Sequence, residues 1–334
     1  MRATQWLVRC SFCLSIAAAA GAQATVEPPP RYAAVVQQLE SMIAHEMRDK
    51  SIPALSIALV DSQRVVWARG FGWADSAKGV RATAETVYRI GSVSKLFTDI
   101  AVMQLVERGE ISLDADVSQY VPGFAPRNPY GKPITLRQLM AHRSGLVREP
   151  PAGHYFDSSG TSLGATVRSL TRTALVFPPE STTKYSNAGI AVVGYVLEAL
   201  RKEPFAHYVK RAVLDPLGMR HSAFEPAPSV RERLSRAQMW SLHGTSFTAP
   251  TFELGMAPAG SMYSSVLDMT TFIRALLRGG EGVLKHSSLD TMWTPQYAAP
   301  GTRTGFGLGF AIGESDGARV VRHGGAIYGF ATEL

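Results

Sequence analysis

Ser92-Val93-Ser94-Lys95, Tyr185-Ser186-Asn187 and His323-Gly324-Gly325 follow one another along this 334-residue chain. A serine hydroxyl is a weak nucleophile until a neighbouring base takes its proton. Lys95, three residues on, shares the face of Ser92 if the segment is helical. An ammonium partly withdrawn from water binds its proton less tightly, and it can also stabilise a nearby phenolate. Tyr185 offers a phenol that can shuttle the proton of Ser92. Asn187 offers an amide to orient the lysine or a substrate carbonyl. The glycines after His323 mark a close backbone approach or a strand edge on which a substrate can lie. The N–H groups of Ser92, at a helix start, and of Ala326 form a candidate oxyanion hole, worth roughly 3–4 kcal/mol per donor. Together these groups are the inventory of a hydrolase that acylates its own serine.

Each string has a plainer alternative. Ser92 can simply cap a core helix with Lys95 in solvent, Asn187 can be a helix cap beside a boundary aromatic, and His323 can sit in a surface turn. Ser181-Thr182-Thr183-Lys184 repeats the serine–lysine spacing. Context separates the two: Ser181 follows Pro178-Pro179-Glu180 and leads into no helix, whereas Ser92 follows strand-like Thr86 to Ile90 and opens an apolar run. Metal chemistry finds no pattern, since His45-Glu46 is followed by Asp49 where a zinc helix needs histidine. Gly305 to Gly309 alternates glycines but leads into no helix, which argues against a nucleotide loop.

The elements that must position these groups are legible from spacing. Val35, Leu39, Met42, Ile43 and Met47 predict a helix face over Tyr32 to Lys50. Ala54 to Val60 and Val65 to Trp73, parted by Asp61-Ser62-Gln63, predict a hairpin. Leu96 to Arg108 reads as a buried helix ended by Gly109. Thr135 with Gln138, and Ser265 with Asp268, read as capping boxes. Val147 to Ser169 reads as a long loop, and Asn187 as the cap of a helix over Ala188 to Arg201 with Pro204 stopping the next turn. Thr304 to Ile312 and Ala318 to Arg322 read as strands. Strands at both ends with helices between predict one sheet assembled from the two termini.

Met1 to Ala22 has basic Arg2 and Arg9, an apolar stretch and Ala20-Gly21-Ala22 at a cleavage position, with Ala22-Gln23-Ala24 as a second option, the pattern of a secretory signal peptide over 1–22. The stretch is too short for a membrane span, so no transmembrane anchor is expected and the location is periplasmic or secreted. Both cysteines, Cys10 and Cys13, fall inside it, leaving the mature chain without a thiol or disulfide. The net charge of +7 becomes 7 − 2 = +5 after cleavage. Its basic residues are scattered, which excludes a nucleic-acid footprint.

The three strings are joined by Ile134-Thr135-Leu136-Arg137-Gln138-Leu139-Met140-Ala141-His142-Arg143-Ser144-Gly145-Leu146, Phe177-Pro178-Pro179, Pro216-Leu217-Gly218-Met219 and Pro258-Ala259-Gly260-Ser261. With them, residues 32 to 334 resemble the serine β-lactamase and penicillin-binding protein superfamily, in its class C β-lactamase-related branch. That branch includes D,D-peptidases, D-aminopeptidases and esterases. The resemblance implies an α/β fold, a mainly antiparallel sheet flanked by helices, with an inserted, mostly helical domain. Residues 27–110 and 285–334 would form the α/β domain and 111–284 the helical one. It implies Ser92, Lys95 and Tyr185 as catalytic residues, Asn187, His323 and Gly325 as substrate-binding, and Ser92 and Ala326 as the oxyanion hole. It further implies a small-molecule or peptide substrate with an ester, amide or β-lactam carbonyl, and no cofactor or metal.

Two departures matter. The class C enzymes proper carry Lys-Thr-Gly or Lys-Ser-Gly at the third motif, and His323 replaces that lysine here. A histidine of ordinary pKa would be half protonated near pH ~6.5, so binding of a carboxylate should improve toward that pH. Relatives also continue past this motif, whereas the chain stops at Thr332-Glu333-Leu334. The expectation is a truncated C-terminus with an unpaired sheet edge and marginal stability. The rival reading is a catalytically silent, sensor-type penicillin-binding relative or an inactive fragment.

Overall fold

The computed structural model describes residues 25–334; the signal-peptide expectation and both cysteines lie outside the described residues. The protein is a mixed α/β structure of antiparallel sheets and helices. Helix α1 (Ala33–Asp49) precedes a hairpin of β1 (Ala54–Asp61) and β2 (Arg64–Asp75), to which β3 (Val80–Arg81) adds at the β2 edge. The face of α1 that packs is set by Val36, Leu39, Ile43 and Met47 against Trp67. Val35 and Met42, placed on that face by spacing, are about half exposed (48% and 55%). The buried stripe is thus rotated from the one the sequence suggested.

Strand β4 (Val87–Arg89) leads through a 3₁₀ turn, Gly91–Val93, into α2 (Ser94–Glu107). Eleven of the residues of α2 are buried, Lys95 and Asp99 among them, and Gly109 follows its end at φ +70°. The Thr135–Gln138 capping box opens α3 (Leu136–Met140). Next comes α4 (Leu163–Ser169), capped by Ser162 inside the stretch that sequence spacing left as loop. That helix is too short for apolar periodicity to declare it. The apolar α5 (Asn187–Arg201) is capped by Ser186, not Asn187: the Ser186 hydroxyl accepts from the Gly189 amide. Pro204 does not stop the next helix but opens it, at the N-cap of α6 (Phe205–Val209), where its missing N–H costs nothing.

After α7 (Asp215–Leu217) and α8 (Pro228–Arg231), β5 (Gln238–Trp240) and β6 (Ser246–Thr248) form a small hairpin. Helix α9 (Ala257–Gly260) is followed by β7 (Tyr263–Ser265), which pairs with β4, and by α10 (Val266–Leu277). Only half of the capping box at α10 forms. Ser265 accepts from the Asp268 amide, but the Asp268 carboxylate accepts from the His221 amide and the Ser222 hydroxyl instead. Helix α11 (His286–Met292) leads to β8 (Gly305–Phe306), β9 (Ala311–Ser315) and β10 (Ala318–Arg322), an antiparallel set ordered β10-β9-β8. The run from Thr304 to Ile312 is therefore broken into two strands. Last come β11 (Gly324–Ile327) and β12 (Phe330–Glu333), a further hairpin.

Strands of the two ends do not hydrogen-bond each other among the described residues, against the single sheet expected. Most pair with a neighbour in sequence, where a short turn makes loop closure cheap. The long-range pairing is β4 with β7, clamped by Val87↔Ser265 and Arg89↔Tyr263. It brings the turn before α2 against α9. One buried cluster then runs from Ile90 through α2 and α5 to Ile327, and within it the Phe97 and Phe272 rings lie 4.4 Å apart.

Candidate active site

The Gly91–Val93 turn places Ser92 at the head of α2, with Gly91 at φ +51°. A Cβ on Gly91 would lie 2.6 Å from the Ala326 nitrogen, and one on Gly325 only 2.0 Å from the Ile90 carbonyl oxygen. Strand β11 thus rides directly on this turn, and the two glycines permit the contact. Gly325 lines the cleft and also serves this approach, the close backbone contact its motif suggested. Ser94, the other serine of the motif, is committed: it donates to Gly91 O at 2.5 Å and accepts from the Met262 amide at 3.0 Å.

Lys95 is fully buried. Its ammonium nitrogen is 3.0 Å from Ser92 Oγ and donates to Ala259 O on α9 at 2.5 Å. Burial brings its pKa down to about 7, opposed by Glu149 and Asp99 and assisted by Arg148. The Tyr185 ring lies over the same nitrogen, 4.9 Å to the ring centre. Burial raises the Tyr185 pKa, and a hydrogen bond with Ser92 works against that rise. A base able to lose its proton near neutrality, a phenol and a hydroxyl therefore share one hydrogen-bonded corner.

Asn187, the first residue of α5, turns its Nδ2 to Glu149 Oε1 at 2.7 Å, while its Oδ1 is buried without a partner. His323 stands just ahead of β11, its main chain paired with Leu334. Its Nδ1 donates to Gly324 O at 2.7 Å, which leaves Nε2 as a buried acceptor without a partner. Burial and the Lys95 charge push its pKa down to about 4. Such burial favours the neutral ring over the half protonation expected near pH 6.5 of an ordinary histidine.

Ser92, Tyr185 and His323 open onto a cleft of about 750 Å³ lined also by Arg148, Tyr155, Gly325 and Ala326, among others, whereas Lys95 and Asn187 are buried and form no part of its lining. Sequence reasoning missed several groups in and around it, Arg148 and Tyr155 in its lining among them. Burial raises the pKa of Tyr155, and the neighbouring Ser92 and Asn187 side chains work against that rise. The Tyr328 hydroxyl, in the β11–β12 turn, donates to the Tyr155 carbonyl. Glu149 sits behind Asn187 with its pKa raised by burial and with Oε2 unpartnered. Tyr155 and Glu149 belong to the stretch Val147 to Ser169, whose polar, aperiodic sequence gives no sign of them. Ser181, the competing serine, is exposed in a turn and donates to Pro178 O, with Lys184 over the Phe177 ring instead.

Residues 39–334 match the Beta-lactamase family, and the chain belongs to it. Its fold is similar to the octameric penicillin-binding protein homologue from Pyrococcus abyssi, at 28% identity and TM-score 0.78, over 89% of this chain and 70% of that one. It is similar as well to a D-stereospecific amidohydrolase from Streptomyces sp., at 27% identity and TM-score 0.72, over 90% and 89% of the two chains. Beta-lactamase-like protein 2 of Dictyostelium discoideum is 29% identical over 310 residues, which is 89% of this chain and 56% of that protein. The chain spans about half the length of the curated relatives it matches. No helix among the described residues is long and apolar enough to cross a membrane.

Proposed function

We propose that this protein is an exported serine hydrolase that works through an acyl-enzyme on Ser92. The observation that carries this reading is the 3.0 Å contact between Ser92 Oγ and a lysine whose burial brings its pKa to about 7. Neutral Lys95 takes the proton as Oγ forms its bond to the substrate carbonyl carbon. The carbonyl electrons move to oxygen, where the N–H groups of Ser92 and Ala326 receive them. As the tetrahedral species collapses, Tyr185 passes the proton to the departing nitrogen or oxygen, and that bond breaks. Water then attacks the ester, giving its proton back through the same pair, and Ser92 is regenerated.

The substrate class we favour is an ester or amide without a carboxylate beside the scissile bond. His323 lines the cleft, and its Nε2 is a buried acceptor without a partner. A carboxylate brings more acceptors; an amide N–H, amine or hydroxyl brings the donor it lacks. The similarity to a D-stereospecific amidohydrolase supports the same choice. The test is a fluorophosphonate label read by intact mass, followed by turnover of p-nitrophenyl esters, D-amino-acid amides and nitrocefin. Ser92→Ala should lose the label and Ser181→Ala keep it. A label that survives loss of Ser92 refutes the mechanism.

A further inference from the structure

We propose that His142 is a positioning residue that fixes the Tyr185 phenol beside Ser92, an inference that rests on the proton-carrying reading of Tyr185. His142 grips the chain on both sides of that tyrosine. Its carbonyl accepts from the Lys184 amide at 2.8 Å, and its Nδ1 accepts from the Ser186 amide at 3.2 Å. Its ring lies against the Tyr185 ring, centres 4.2 Å apart, with Phe306 on it at 5.0 Å. One side chain and its own peptide therefore set the backbone before and after Tyr185 and the direction of the ring.

The grip depends on which nitrogen is protonated. Nδ1 accepts, so the proton is on Nε2. A second proton would remove the acceptor and repel Lys95. Burial and the Lys95 charge hold the His142 pKa well below the usual range, which keeps the ring neutral and the acceptor in place. The arrangement has a cost in stability. His142 sits in the left-handed region at φ +56°, and its buried Nε2 has no hydrogen-bond partner. A strained backbone and an unpaired polar group are each unfavourable, and such features collect where geometry serves chemistry. An asparagine would tolerate the backbone and offer an oxygen to Ser186 N, but it would not support the phenol.

The experiment is a double-mutant cycle on the full chain, with the acylation rate measured on a p-nitrophenyl ester. Its variants are His142→Gly, which accepts the positive φ, His142→Asn, Tyr185→Phe, and each His142 variant combined with Tyr185→Phe. His142→Gly should slow acylation ~10–100-fold with KM within a few-fold, and His142→Asn should recover part of that loss. In the Tyr185→Phe background the same change should cost less than ~3-fold, because the group being positioned is gone. Equal losses in both backgrounds would overturn the proposal as general damage. Should His142→Gly fail to fold, the cycle is read with His142→Asn, which keeps the cap to Ser186, and the same coupling is required. A Tyr185→Phe enzyme that acylates at the wild-type rate removes the proton-carrying reading, and the role of His142 with it. A slow Tyr185→Phe enzyme with no coupling removes only His142.

Discussion

A lysine in water keeps its proton to about pH 10.4; buried beneath Tyr185, Lys95 gives it up near pH 7. If neutral Lys95 is the base, kcat/KM should rise with pH through about 7 and fall away below it. Glu149 is the strongest of the charges that raise the Lys95 pKa. Glu149→Gln should therefore carry this acid limb to lower pH; an unmoved limb, or one displaced upward, would contradict the assignment. His323 makes the opposite kind of prediction. With its pKa near 4, it has no charge to offer a carboxylate at neutral pH. The ratio of rates on a carboxylate-bearing and a neutral ester should stay flat from about pH 8 to about pH 5.5. A ratio that climbs across that range would mean the imidazole titrates where an exposed one does.

Between elements, the contact that matters is β11 on the turn before α2. Gly325→Ala sets a Cβ against the Ile90 carbonyl, a backbone atom that cannot swing aside. The strand must lift, and the Ala326 N–H goes with it. Acylation should drop ~10²-fold, the scale of one oxyanion donor, with the circular dichroism spectrum unchanged. Gly313→Ala on β9 is the control, since its Cβ would make an ordinary 3.9 Å contact with Val320; comparable losses from both would rule out a specific docking effect. Elements of this kind were legible in the sequence where the signal is local. The β1–β2 hairpin, the body of α2 and the Thr135 cap each rest on residues a few places apart. The cap of α5 was not, because Ser186 and Asn187 are equally good caps. The decision is made by distant atoms: the Val147 carbonyl takes the Ser186 hydroxyl and Glu149 takes the Asn187 amide. Tyr155, Glu149 and His142 went unassigned for the same reason. Their partners lie on other elements, and no periodicity reports a contact across the fold.

At the scale of the whole molecule, α2 is both the spine of the core and the carrier of Lys95, so stability and chemistry are in conflict there. Desolvation is the dominant influence on Lys95. Lys95→Met keeps the apolar stem and removes the buried amine, so it should raise Tm by a few degrees while abolishing acylation. A Tm that falls on this change would show that the ammonium contacts to Ser92 and Ala259 outweigh its burial. The Gly91–Ala326 contact has a consequence in time. A ribosome reads Ser92, Lys95 and Tyr185 well before it reaches Ala326, so the nascent chain carries its nucleophile, base and phenol with only one of the two amides that would receive the charge. Until β11 settles on the turn, the serine is unarmed. On this reading the nucleophile, base and phenol are made before the amide that completes their site, and activity waits for β11 to dock.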